Sequence, residues 1–171
     1  GRPAEELAEI FWRYGEEPLH RPIAQAIVRQ RRIAPIASGR ALADLVAGVH
    51  RRYYRGRSRR EPATRVFQAL RVWVNDELGQ LERALPQAAA LLNPGGRLAV
   101  ISFHSLEDRI VKQFYRTESR DCLCPPSFPV CVCTHRASLR PVTRTPVTPT
   151  AAEVAANPRS RSAKLRVAEK L

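Results

Sequence analysis

Methionine is absent from this chain, position 1 included, and lysine is nearly absent. Without an initiating methionine, Gly1 is expected to follow a segment that was removed or left unread. Acidic side chains are scarce too: 16 Asp and Glu stand against 29 Lys and Arg, a formal charge of +13. That imbalance points to a polyanionic partner, nucleic acid ahead of a membrane surface. Of the 29 cations only Lys112, Lys164 and Lys170 are lysine. Arginine suits phosphate and base recognition. An arginine-favouring genome explains the ratio equally well, but not the net charge. No run of 18 apolar residues exists, which excludes a membrane-spanning helix. No signal-peptide pattern is visible, and a cytoplasmic location is expected. The four cysteines fall within twelve residues, more like a metal site or redox pair than a secreted disulfide framework.

What is present reads first as helices. Leu7, Ile10, Phe11 and Tyr14 follow helical spacing, with Gly15 as the stop. Pro22 opens a second helix, and Ser38 caps a third with Leu42, Leu45, Val46 and Val49 inward. Residues 51–60 hold six arginines and two tyrosines. They read either as a solvated linker or as a single-stranded RNA contact, since aromatic rings stack on bases while guanidinium groups hold phosphates. A long helix is expected over residues 63–84, broken at Pro86.

Asn93-Pro94-Gly95-Gly96 is turn chemistry, and residues 98–101 are a short apolar run, the mark of a strand covered on both faces. Ser105 then caps a helix over about residues 106–116, with Asp108 three residues on. Ligands of open α/β sheets sit beyond the carboxyl ends of strands, which makes Ser102, His104 and Ser105 candidate site residues. His104 is readable as a general base, a substrate hydrogen-bonding group or a structural side chain. Glu107 and Asp108 suit a helix's first turn, where carboxylates meet the dipole. Strands are expected at 139–145 and 163–169, the latter alternating Lys164 and Arg166 with Leu165 and Val167. Three strands are too few for a free-standing doubly wound sheet. Further strands are therefore expected from outside this chain.

Cys122, Cys124, Cys131 and Cys133 form C-x-C-x6-C-x-C. Structural zinc, free thiols and disulfides all remain open readings; catalytic zinc does not, because four thiolates leave no position for water. Residues 157–162 offer Arg159 and Arg161 as phosphate ligands, or form a solvated loop.

Residues 62–75 (Pro62-Ala63-Thr64-Arg65 onward), the Gly95-Gly96-Arg97-Leu98 turn and strand, residues 101–112 with Phe103-His104-Ser105-Leu106-Glu107-Asp108-Arg109, and residues 157–166 together resemble the bacterial RsmH (formerly MraW) methyltransferases. The resemblance spans essentially the whole chain. It implies an α/β protein: the C-terminal half of a Rossmann-like class I methyltransferase sheet plus an inserted all-helical subdomain. Residues 1–58 would be the helical insertion and 59–171 the C-terminal part of the methyltransferase domain. It implies S-adenosylmethionine as methyl donor, N4 of a decoding-region cytosine in 16S rRNA as acceptor, and the 30S subunit as partner. The family's glycine-rich cofactor loop is expected upstream of Gly1. No cofactor-binding residue is therefore assigned here, and this chain alone is expected to be inactive. With that chemistry Ser102, His104 and Ser105 are placed to orient the base or shape the pocket, and Arg65, Arg71, Arg109, Arg159 and Arg161 are candidate phosphate contacts. Glu61 stands where the family has histidine. The alternative reading is a non-catalytic, zinc-stapled RNA-binding module.

Overall fold

The computed structural model describes residues 1–54, 61–125, 127–128 and 130–171. The basic segment 55–60, and with it most of the expected RNA-contacting stretch, lies outside the described residues, as do Pro126 and Pro129. The chain divides into two compact units, residues 1–77 and 78–171. The division falls later than the expected 58/59 boundary because the helix after the basic segment packs back onto the first helix.

The first unit holds α1 (Ala4–Gly15), α2 (His20–Ile33), α3 (Gly39–Tyr53) and α4 (Thr64–Val74). The apolar spacings converge on one core that contains Leu7, Phe11, Ile23, Ile27, Val46, Val49, Val66 and Ala69. Phe11 is fully buried, and burying such a side chain contributes about 1.5–3 kcal/mol. Ser38 caps α3 as expected, its Oγ accepting from the Ala41 N–H at 3.1 Å. Gly15 does more than end α1. A Cβ there would stand 2.5 Å from the Arg65 carbonyl oxygen and 3.1 Å from the Ala69 Cβ, so its missing side chain lets α1 and α4 approach closely. Glu16 then ends the helix in the left-handed region, at φ 48°. Buried Glu17 accepts from the Leu19 N–H at 2.9 Å and faces His50 Nε2 at 3.4 Å.

The expected helix over 63–84 is two helices. Asp76 adopts φ 50°, which ends α4 and lets α5 (Glu77–Ala90) set off afresh. The buried residues of α4 are accordingly Val66, Ala69 and Val72, while Val74 is exposed. Pro86 lies inside α5 without breaking it. It forgoes one backbone donor, and the continuous apolar contacts of Leu81, Leu85 and Ala89 hold the helix together across that gap.

The second unit is a small mixed α/β arrangement. It contains β1 (Arg97–Ser102), α6 (Ser105–Glu118), β2 (Leu139–Pro141), α7 (Ala151–Ala156), a 3-10 turn (Pro158–Ser162) and β3 (Lys164–Lys170). Strand order is β1-β3-β2, with the last strand central and antiparallel to both neighbours. β2 is shorter than expected. Pro141 brings no donor, and the Val142 and Thr143 N–H groups both converge on the Val167 carbonyl, which bends the chain away after three residues. Leu85, Ala89, Val111, Tyr115, Leu139 and Ala168 form the core. The Tyr115 hydroxyl donates to the Leu98 carbonyl at 2.9 Å, and burial pushes its pKa up to about 12.

Two expectations change here. Within these residues one face of β1 is covered: Leu98 and Val100 pack inward, while Ile101 is 59 % exposed and Phe103, just beyond the strand, 53 %. In β3 the buried side chains are Arg166 and Ala168, not those of Leu165 and Val167. The reason lies in what Arg166 meets, described next.

Candidate functional site

The Gly95–Gly96 turn closes one end of the sheet. Gly95 takes φ +81° and donates to the Lys170 carbonyl at 2.9 Å, and Lys170 N–H returns a bond to Gly96 at 2.8 Å. Ser102, at the other end of β1, pairs with Lys164, the first residue of β3. The 3-10 turn that ends at Ser162 therefore leads into the sheet at the Ser102 end. The fold thus brings Ser102, His104, Ser105 and Arg109 to the same sheet end as the turn carrying Arg159 and Arg161.

The cap of α6 is His104, not Ser105. Its backbone is extended, and its Nδ1 accepts from the Glu107 N–H at 3.4 Å. Glu107 Oε2 in return accepts from the N–H groups of Phe103 at 2.8 Å and His104 at 3.2 Å. This reciprocal capping box replaces the expected Ser105–Asp108 pair. A neutral His104 ring with Nδ1 accepting carries its proton on Nε2. That atom is buried 3.3 Å from Glu107 Oε1, with no aligned hydrogen-bond partner among the described residues. Both ring nitrogens are thus turned into the protein. Ser102 is also buried, its hydroxyl 3.5 Å from the Lys164 carbonyl oxygen. Ser105, Arg109, Arg159 and Arg161 are exposed.

Sequence reasoning missed the ionic centre beneath this end. Asp108 does not merely face the helix dipole. It is buried and receives two bonds from the Arg166 guanidinium, Nε at 2.7 Å and Nη2 at 3.1 Å, with Lys164 Nζ at 3.4 Å. The Arg166 hydrogen bond holds the Asp108 carboxyl below its ordinary value, outweighing burial, which acts the other way. Arg166 is only 8 % exposed, an inward-facing cation in a strand whose pattern reads as cation-outward. The available signal was Ala168, which shares the Arg166 face and is itself apolar.

The other two expected arginines lie in the first unit and already have partners. Arg65 donates to the Glu16 carbonyl at 3.1 Å, serving the end of α1, and Arg71 forms a two-point pair with Glu77 at 2.8 and 3.1 Å. Both remain exposed.

The four cysteines are not paired in disulfides, and their sulfurs all lie within 4.8 Å of one another. Backbone N–H groups of Leu123 and His135 aim at Cys133 and pull its pKa down to about 6. No helix among the described residues is long and apolar enough to cross a membrane.

Residues 2–171 match the family model described as the MraW methylase family. A curated relative from Thermomicrobium roseum, ribosomal RNA small subunit methyltransferase H, is 59 % identical over 98 % of this chain and 51 % of its own length. Proteins of the same name from Lawsonia intracellularis and Dehalococcoides mccartyi are 51 % and 50 % identical, over 98 % and 100 % of this chain and 54 % and 47 % of their own lengths. The chain spans about half the length of the curated relatives it matches. With a family match across all but its first residue, this chain belongs to the MraW methylase family.

Proposed function

We propose that this chain is part of an rRNA methyltransferase that transfers a methyl group from S-adenosylmethionine to N4 of a cytosine in the decoding region of 16S rRNA, within the 30S subunit. The observation that carries the reading is the strand-to-helix junction at residues 101–109, set in a sheet whose final strand is central and antiparallel. The family match over residues 2–171 supports it, as do relatives named for small-subunit rRNA methylation.

The cofactor must be held mainly by sequence outside these 171 residues. The one Gly-Gly turn precedes β1 rather than following a strand; Gly95 N–H and the Gly96 carbonyl bond Lys170 of β3, and Gly96 N–H donates to the Asn93 carbonyl, so it offers no loop open to a nucleoside. When bound, S-adenosylmethionine supplies an electrophilic methyl group. Ile101 in β1 and Phe103 just beyond it present an exposed apolar face, which supports a further layer packed there from outside these residues; in this reading residues 1–58 are an inserted helical part and 59–171 belong to the methyltransferase domain.

The acceptor sets the remaining demands. An exocyclic cytosine amine is a poor nucleophile because its lone pair is delocalised into the ring. The enzyme must hold the base out of its stack and align N4 for in-line displacement. In this reading Ser105 and Arg109, on the first turns of α6, face the RNA together with Arg159 and Arg161. Ser102 and His104 fix the strand end from which they project. Arg65 and Arg71 offer further phosphate contacts from the helical unit. The charge of +13 supports an RNA partner.

The test is methyl transfer by the full-length gene product. Incubated with radiolabelled S-adenosylmethionine and 30S subunits lacking the modification, it should yield N4-methylcytidine on nucleoside mass spectrometry. No incorporation, with RNA binding retained, would leave the non-catalytic RNA-binding module. A methyl group at another base atom would refute the N4 assignment. The 171-residue chain by itself should transfer nothing; turnover by it would place the cofactor site within these residues.

A further inference from the structure

We propose that Cys122, Cys124, Cys131 and Cys133 bind one structural zinc ion in a closed tetrahedral site that holds together the tip of the α6–β2 connection.

Distance is the first argument. Four sulfurs at 2.3 Å from a common centre with tetrahedral angles stand about 3.8 Å from one another. The Cys131–Cys133 sulfurs are 3.6 Å apart and the Cys133–Cys122 sulfurs 3.8 Å, with all four inside 4.8 Å. Disulfide sulfurs stand at about 2.05 Å, so this arrangement is spaced for a shared ion rather than for pairing. An iron–sulfur cluster would have to interpose several atoms between the thiolates, and sulfurs this close leave room for a single ion.

The second argument is the pattern of backbone donors. Leu123 N–H points at Cys133 Sγ at 3.3 Å, and Val132 N–H at Cys124 Sγ at 3.4 Å. Each residue between two cysteines thus donates across to the opposite C-x-C arm. Cys124 N–H adds a bond to Cys122 Sγ at 3.4 Å. Thr134, just after the last cysteine, adopts φ 53°, a reversal that turns the following chain back toward the sulfurs. Zinc takes all four cysteines as thiolates, any thiol protons still bound passing to solvent, and leaves a centre of net charge −2. N–H groups aimed at the sulfurs stabilise that charge.

Packing supplies the third argument. The stem of the connection is closed by protein alone: Ser138 N–H donates to the Glu118 carbonyl at 2.8 Å, Ser138 Oγ to Glu118 Oε2 at 2.6 Å, and Ala137 N–H to Asp121 Oδ1 at 3.3 Å. At the tip, by contrast, Leu123, Phe128, Val130 and Val132 are exposed. Among the described residues no apolar core gathers the sulfurs there, and a metal ion can make such a small lobe fold.

The test uses the full-length gene product, purified without chelator or metal-affinity resin. Elemental analysis should find about one zinc per chain, and X-ray absorption at the zinc edge should give a single sulfur shell at about 2.3 Å. Cys124→Ser and Cys131→Ser should each lose most of the zinc. Stripping the metal should open residues 122–133 to proteolysis while hydrogen-exchange protection in α5 and β3 persists. Zinc well below one per chain after zinc-replete expression, iron in its place, or two disulfides on mass mapping would each overturn the site. Where a serine variant fails to fold, cobalt exchange into the wild-type protein decides instead. Intense thiolate-to-cobalt charge transfer supports the site, and its absence refutes it. None of these readouts depends on methyl transfer.

Discussion

In the helical unit, residues 1–77, Glu17 is the one buried polar or charged side chain among the described residues, and all the rest are apolar. In the sheet unit the buried set includes Ser102, Asp108, Ser160 and Arg166, and among the described residues of the cysteine lobe Leu123, Phe128, Val130 and Val132 are exposed. The first unit is therefore organised by where carbon avoids water. The second is organised at its functional end by which polar atom meets which. Apolar cores tolerate repacking, whereas a buried ion pair is all-or-none: removing one partner strands the other.

The strongest way to break this contrast is Arg166→Met, which takes the two-point partner from the buried Asp108 carboxylate and leaves Lys164 Nζ at 3.4 Å. The expected loss is about 3–5 kcal/mol, read by denaturation of the full-length protein with hydrogen exchange in α6 and β3. Adding Asp108→Leu should recover a large part of it. If the double variant is as unstable as the single one, the pair is not the organising contact. A smaller effect belongs to the helical unit. Gly15→Ala puts a methyl group 2.5 Å from the Arg65 carbonyl oxygen and should cost about 1–3 kcal/mol by forcing α1 off α4. The usual gain for Gly→Ala within a helix, about 1 kcal/mol, has the opposite sign, so a stabilised variant would disprove the close approach. The mildest perturbation is acid. Because the Asp108 carboxyl titrates below its ordinary value of 3.8, its contribution is fully present above about pH 4 and is lost as pH falls through its folded-state value. Protection in β3 should fall in that acidic range before protection in α1 does; simultaneous loss would mean the ionic centre does not govern the sheet.

How much was legible in the sequence follows the same division. The stripe Leu7, Ile10, Phe11 and the Ser38 cap are local signals, and α1 and α3 formed where their spacing put them. The break at Asp76 was not legible, because a non-glycine residue at positive φ leaves no compositional mark. At the candidate site, the strand–helix junction could be read but its wiring could not. Serine is the residue a cap favours, so the local pattern points to Ser105; the Glu107 carboxylate closing back on residues 103 and 104 is what makes His104 the cap. Arg166 finds its partner 58 residues away, a separation over which no periodicity carries information. The cysteine spacing announced a cluster, but only the folded lobe shows the sulfurs at distances suited to one ion.

The central place of β3 has a consequence for how the molecule is made. β1 and β2 pair with β3 and not with each other, so the sheet lacks its middle until residues 164–170 have been synthesised. Residues 97–141 leave the ribosome with the strand edges that pair with β3 unsatisfied and wait for the closing segment. A stop codon or frameshift anywhere before Lys164 would therefore remove more than a terminal strand: it would leave the two strands already made with nothing to join them.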